Sequence, residues 1–436
     1  MRKSILIIIC LLLTLSANSQ KLVDLYKKGA IRLVPDTEYA KDNDWNTIFR
    51  SCKNPMTQKH IGARESLVIM PDGSVVVNHA KANYYSMFSP QGKFVKEFGI
   101  KDANGQTLKR INGIEGIVGN NTFFTSLDNI GNMYCFDFNG KLVKKLKLDY
   151  MSKQMISLPN GKIAVVGWVI LKNKTRDFIA IIDYSTNKEK VIWEHDTDRN
   201  GITGNSNVSK SGLTVTVSSP SASPAAKAKK NDGQLSTFTF SVPSARPVIA
   251  SMDNRLIVSL PASGEILTFD LNGHLLSKGK TDWATKYLSV KEQKENQQKA
   301  IDRFRSSAAF ETDKSVSQEK IMSARKKLAD QLESDMDKIK TPRPLPNFST
   351  IIKDSDGNLL FFEYPKEDNE NKFNVWVYEK GGRFVCQSHF ICDDYDLYIN
   401  PSRMVFRGGY LYSLQTRKNA SGIPMRLVRF KLTTAN

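Results

Sequence analysis

Residues able to do chemistry are few in this 436-residue chain. Its five histidines, His60, His79, His195, His274 and His389, lie far apart, and none belongs to an HExxH pair. No GxSxG elbow, Walker loop or strand followed by GxGxxG occurs either. What remains are polar and aromatic residues near the ends of apolar runs: Asn78, His79 and Lys81 after Val75-Val76-Val77, then Arg110, Glu115, Trp168 and Tyr364. Residues placed so, on loops at the end of a rigid scaffold, hold ligands more readily than they break bonds. These seven are the candidate binding residues; no catalytic residue is assigned and no cofactor is expected. His79 has the sharper reading of proton transfer, because it follows directly on a strand, and no second histidine stands at ligand spacing to it. An alternative chemistry is a calcium site that uses Glu115 and Asn78 for a hydrolase or lyase reaction. That reading needs three or more oxygen-bearing side chains within reach of one cation.

The elements that must position these residues are strands. Phe136-Asp137-Phe138-Asn139-Gly140-Lys141-Leu142-Val143-Lys144 has counterparts at Phe88 to Lys96, Phe269 to Leu276 and Tyr378 to Val385. Each reads as a hairpin in which an aromatic ends one strand, glycine takes a positive φ, and an alternating strand leaves with Lys or Arg outward. Around each hairpin stand two further apolar runs, such as Leu67 to Met70 and Val75 to Val77 in the first repeat. The third repeat has Met155 to Leu158, Ile163 to Val166 and Phe178 to Ile182. One unit of this kind recurring at tens of residues predicts an all-β fold, a six-bladed β-propeller. The last repeat stops after three strands, at Phe430, while Ile31 to Val34 has no local partner. Pairing the two closes the ring and hides two strand edges.

Two insertions break the spacing. Residues 196–246 read as a β-hairpin arm with a tip rich in Ser, Pro, Ala and Lys at 220–230. Residues 284–346 read as helical, with Ser317 as N-cap and Ile321, Leu328, Leu332 and Ile339 at helical spacing before Pro342. An earlier helix near 284–304, polar through 291–299, reads as one that frays or lies in solvent. The apolar stripe predicts either a cap folded onto the propeller or a docking arm for a partner. If strand directions alternate, both insertions rise on the face that carries Asn78, His79, Trp168, Glu363 and Arg417, and Asp253 and Asp354 lie on the other.

Residues 1–19 carry Arg2 and Lys3, an apolar run from Ile5 to Leu15, and small residues at 17 and 19, the pattern of a signal peptide. Residues 20–436 form the propeller, exported to the periplasm or cell exterior, with no membrane span and a monomeric state expected. Cleavage removes two of the 63 basic residues and none of the 44 acidic ones, leaving a net charge of +17. Such an excess favours an anionic glycan or an envelope protein as partner. No aromatic platform accompanies it, so nucleic acid is not expected. Cys52, Cys135, Cys386 and Cys392 remain after cleavage. Their even number permits disulfides, while Cys135 between Tyr134 and Phe136 also reads as a buried thiol.

Ile31 to Asp36 with Asp44-Trp45, Met70-Pro71-Asp72-Gly73-Ser74 and Phe88 to Phe98 together resemble the exported six-bladed β-propeller proteins with NHL-like repeats that are abundant in Bacteroidetes. The resemblance implies the fold for most of the mature chain and no particular activity. The sequence thus leads to an exported binding or scaffold protein of the cell envelope, which recognises a protein or an anionic carbohydrate on the insertion-bearing face.

Overall fold

The computed structural model describes residues 21–52, 65–79, 84–108, 111–117, 122–127, 132–171, 174–198, 206–209, 212–217, 235–240, 246–306, 323, 326, 329–330, 332–363 and 372–435. The chain is mostly β, organised as many small antiparallel sheets in a propeller-like arrangement. The first sheet runs Ser66–Ile69, Val75–His79, Tyr84–Phe88, Phe94–Phe98 in spatial as in sequence order. The second (Ile111–Ile117 to Leu142–Lys147), third (Met151–Leu158 to Glu189–Asp198) and fourth (Val248–Met252 to Leu275–Lys280) repeat that meander. A fifth meander, Thr350–Lys353 to Phe384–Ile391, is joined to the C-terminal strands in one nine-stranded sheet. The first strand of each meander lies beside the first strand of the next, and Met404–Arg407 closes the cycle between Thr350–Lys353 and Ser66–Ile69.

The strand left over at the N-terminus, Ala30–Pro35, pairs antiparallel with Met425–Thr434, from Ile31 opposite Thr434 to Pro35 opposite Phe430. Its other edge pairs in parallel with Phe384–Ile391. The strand is paired on both edges from Ile31 to Arg32, and Ile31 and Leu33 are buried.

Apolar side chains on both faces of the strands explain the near-continuous hydrophobic runs. Val75 and Val77 pack toward Leu414, Met425 and Leu427 of the C-terminal strands, whereas Val76 packs with Ile114, Phe123 and Phe136 of the second sheet. Each sheet is thus sandwiched between two neighbours, and the buried residues fall into a cluster between every consecutive pair. Cys135 belongs to the one between the second and third sheets. All four described cysteines are free thiols.

The hairpins obey the turn chemistry of their residues. In Asp137 to Lys141, the Asp137 Oδ1 accepts from the backbone N–H groups of Asn139 and Lys141, and Gly140 takes φ 76°. The strand pairing slips by one residue at the aromatic, between Cys135 and Phe136, which is a bulge that sharpens the twist. The third sheet makes the same connection without glycine, because Asn187 adopts φ 60°.

Both insertions differ in detail from their sequence reading. The first contains three strands, Ser206–Ser209, Gly212–Val217 and Leu235–Phe240, instead of a two-stranded hairpin. Its tip at 220–230 lies outside the described residues. In the second, the polar segment is an ordered helix, Val290–Ser306, started by a capping box in which the Ser289 Oγ accepts from Glu292 N–H and Glu292 Oε2 accepts from Ser289 N–H. That helix lies beside the segment around 329–335: Gln297 donates to the Leu332 carbonyl at 2.6 Å, and Arg305 bridges Asp330 and Glu333. Ile301, Ala329 and Leu332 are buried. Ser317, Ile321 and Leu328 lie outside the described residues. The two ends of the insertion are pinned by the pairing of Tyr287–Leu288 with Arg343–Pro344.

Asp44-Trp45 starts a short helix, Trp45–Ile48, whose N-cap Asp44 accepts from Asn46 and Thr47. This places Trp45 on Phe88 and buries Phe49 between the first and last sheets. Among the described residues no helix is long and apolar enough to cross a membrane.

Candidate functional site

In an antiparallel meander the turn after the second strand and the connection out of the fourth lie at the same end. Asn78, His79 and Trp168 end second strands, and both insertions follow fourth strands. The insertions are bolted to this face at their roots. At the second, Lys286 Nζ lies 2.6 Å from Glu363 Oε2, Trp376 Nε1 donates to Glu363 Oε1 at 2.8 Å, and Trp283 stacks on Trp376. Burial raises the Glu363 pKa, but these partners outweigh it and hold the carboxyl below its usual value.

Of the seven candidate residues, those described with their side chains stand on different sheets, Asn78 and His79 on the first and Trp168 on the third. Asn78 and His79 are fully buried, not loop residues on a rim. Asn78 sits in the strand, opposite Ser66 and Tyr85. His79 stacks on Tyr84 at 4.2 Å, and its Nε2 lies 2.9 Å from Ser86 Oγ. Burial, with the Arg50 charge nearby, pushes its pKa down to about 3, so the imidazole stays neutral near pH 7. A ring so held locks the strand end in place and is a poor proton carrier. Glu115 lies in the strand Ile111–Ile117 opposite Phe124, with only its backbone described. Lys81, Arg110 and Tyr364 lie outside the described residues.

Trp168 has company that the sequence did not announce. Its register partners are Met151 on one side and Asp177 on the other. Arg246, where the first insertion returns to the fourth sheet, lays its guanidinium over the Trp168 ring at 4.3 Å and holds Asp177 Oδ1 at 3.1 Å from Nε. Arg246 and Asp177 are both buried. Burial lowers the Arg246 pKa and Asp177 opposes that fall. The outgoing root is tied as well: Arg176 Nε lies 2.7 Å from Asp196.

Lys153 completes this group. It stands on the first strand of the third sheet, at a point where the pairing jumps from Ser152–Gly167 to Gln154–Val166, so the strand bulges there. Bulges re-aim side chains, and this one presents a solvent-accessible lysine beside the ion pair. Crowding by surrounding protein lowers its pKa to about 7, Arg246 adds to the fall and Asp177 opposes it. Gln154, the next residue, clamps the neighbouring strand through both the N–H and the carbonyl of Ile249. The signal for this site in the sequence was the polar Ser152-Lys153-Gln154 directly before the apolar Met155-Ile156 in one strand.

Among the described residues no group of three or more His, Cys, Asp or Glu comes together at metal-holding distance. A second buried charged set, Glu65 and Arg403, lies between the last and first sheets. Cys52 donates its thiol proton to Glu65 Oε1 at 2.9 Å, and Arg403 lies over the Tyr398 ring.

No protein-family model matches the chain, and no curated protein does. Among solved structures it is similar to a member of the DUF4221 family from Bacteroides vulgatus, with 10% identity, TM-score 0.48, and 93% of this chain and 97% of that chain covered. It is also similar to an exported-type protein from Bacteroides fragilis, at 9% identity, TM-score 0.44, covering 93% and 99%. A third likeness is to virginiamycin B lyase from Staphylococcus aureus, at 12% identity, TM-score 0.35, covering 85% and 94%. At these values the likenesses transfer no residue and no activity.

Proposed function

We propose that this chain is an exported binding module of the cell envelope whose insertion-bearing face takes an anionic carbohydrate. In this reading residues 1–19 are the export signal, and residues 20–436 form a six-bladed propeller closed by the strand Ala30–Pro35. The cyclic contact of the first strands and the antiparallel pairing with Met425–Thr434 support that architecture. The observation that carries the ligand class is the group Lys153, Arg246 and Trp168 at the root of the first insertion, two basic side chains and an indole beside the carboxylate of Asp177. Cations beside an aromatic ring suit a sugar that bears carboxylate or sulfate. Lys81, Arg110, Glu115 and Tyr364 belong to the proposed face by their place in the chain.

Calorimetry of the mature protein with polygalacturonate, dextran sulfate and neutral dextran tests the reading. Binding of the two anionic polymers, weakened by added salt and by Lys153→Met, is the expected result. No binding to either, or binding indifferent to Lys153→Met, overturns it. Binding of polyglutamate alone would reassign the face to an acidic protein partner.

A further inference from the structure

We infer that the outer edge of the second sheet, the strand Leu142–Lys147, is a docking edge for an acidic, extended segment of a partner protein, which adds to the sheet as a further strand. The inference goes beyond the carbohydrate reading and does not depend on it, because this sheet carries neither insertion.

Three observations carry it. The first is an open edge. The sheet is ordered Ile111–Ile117, Thr122–Leu127, Asn132–Asp137, Leu142–Lys147, so among the described residues its last strand is paired on one side alone. Lys141, Val143, Lys145 and Lys147 are exposed along it, Val143 by 56%, while Leu146 is buried and holds the strand to the sheet.

The second is a precedent inside the molecule. Phe384–Ile391 is the outermost strand of the fifth meander, and a remote segment, Ala30–Pro35, lies along it in parallel with Ile31 opposite Phe390. The ladder is accompanied there by the buried Ile31 and by an ion pair of Arg32 with Asp393. An outermost strand of this fold thus accepts an added strand through main-chain hydrogen bonds, an aliphatic side chain and a charge.

The third is the sign of the charge. Leu142–Lys147 reads Leu-Val-Lys-Lys-Leu-Lys, follows Lys141 and holds no acid. Lys144 is used within the fold, since it donates to the Tyr184 carbonyl and lies over that ring at 4.2 Å. Lys145 leans over Tyr134 at 5.4 Å, and Lys147 lies 3.0 Å from Asp149, with both partners of that pair largely in water. Lysines on an edge repel another basic strand, which disfavours pairing with the same edge of a second copy. A guest with Glu or Asp at alternate positions sets carboxylates against Lys141, Lys145 and Lys147, and an aliphatic residue between them meets Val143.

Hydrogen exchange tests this. The mature protein is mixed with a millimolar blocked hexapeptide of alternating Glu and Val, and separately with the same peptide methylated at every backbone amide, which keeps the charge but donates no ladder bond. Slower exchange over Leu142–Lys147 with the first peptide and not with the second is expected. The double variant Lys145→Glu with Lys147→Glu, both exposed positions, should weaken binding on the order of tenfold, and should in turn take up a hexapeptide of alternating Lys and Val. Equal protection by the methylated peptide or by polygalacturonate would show a plain polyanion surface and overturn the inference. Absence of protection at this strand with the unmethylated peptide overturns it as well, and leaves the carbohydrate reading untouched.

Discussion

A neutral histidine packed between Phe49 and Tyr84 takes a proton only when its surroundings open. Its pKa is depressed from 6.5 to about 3, with burial the main cause. The folded state therefore stays unprotonated where the unfolded chain binds a proton, and stability is lost as the pH falls from about 6.5 toward 3. At pH 5 the loss from this one residue is about 2 kcal/mol. Melting temperatures of the wild type and His79→Gln, each compared between pH 7 and pH 5, should show a clearly steeper fall for the wild type. Parallel falls would mean that His79 already titrates in the folded protein. The residue was singled out from sequence for its position, and its role follows from what covers it. Asp177 and Arg246 were not singled out, because a pair 69 residues apart leaves no local pattern.

Hairpins repay a closer look at their glycines, since two demands fall on the same residue type. Gly140 and Gly382 both have positive φ, 76° and 81°. A Cβ on Gly140 would fall on the Gly99 backbone carbonyl oxygen, from the connection that leaves the first sheet, whereas a Cβ on Gly382 would meet nothing within 4 Å. Gly382→Ala should cost about 1 kcal/mol for the left-handed backbone alone. Gly140→Ala should cost roughly 2–4 kcal/mol, since it also forces two sheets apart. Urea unfolding of the two variants decides the matter; equal costs would show that the turn bears the whole burden and the contact between sheets none. The glycines and the hairpins they shape were legible in sequence because turn chemistry is decided within five residues. The third hairpin was not seen, because Asn187 meets the same conformational demand without the glycine that flags it.

At the scale of the whole molecule, closure depends on a strand that arrives first in the chain and pairs with the last. Leu33 is buried in it, opposite Leu432. Leu33→Asp would place a charge in the cluster that joins the C-terminal strands to the fifth sheet, and would free the edge of Met425–Thr434. Size-exclusion chromatography of this variant should show association or loss of soluble protein, and the melting temperature of any soluble fraction should fall by several degrees. A monomer of unchanged stability would mean that the strand is an accessory to a ring held shut elsewhere, for example by Arg407, which donates to the Met70 and Pro71 carbonyls where the last sheet meets the first. Most strands of the repeats, the glycine turns and the missing partner strand were determined by the sequence alone, because apolar alternation and positive-φ residues act over a few neighbouring positions. That Leu332 of the second insertion is buried, why His79 is neutral, and which carboxylate Arg246 meets were decided only by tertiary structure. Burial and charge pairing are properties of surroundings, and those surroundings come from segments that the chain keeps far apart until it folds.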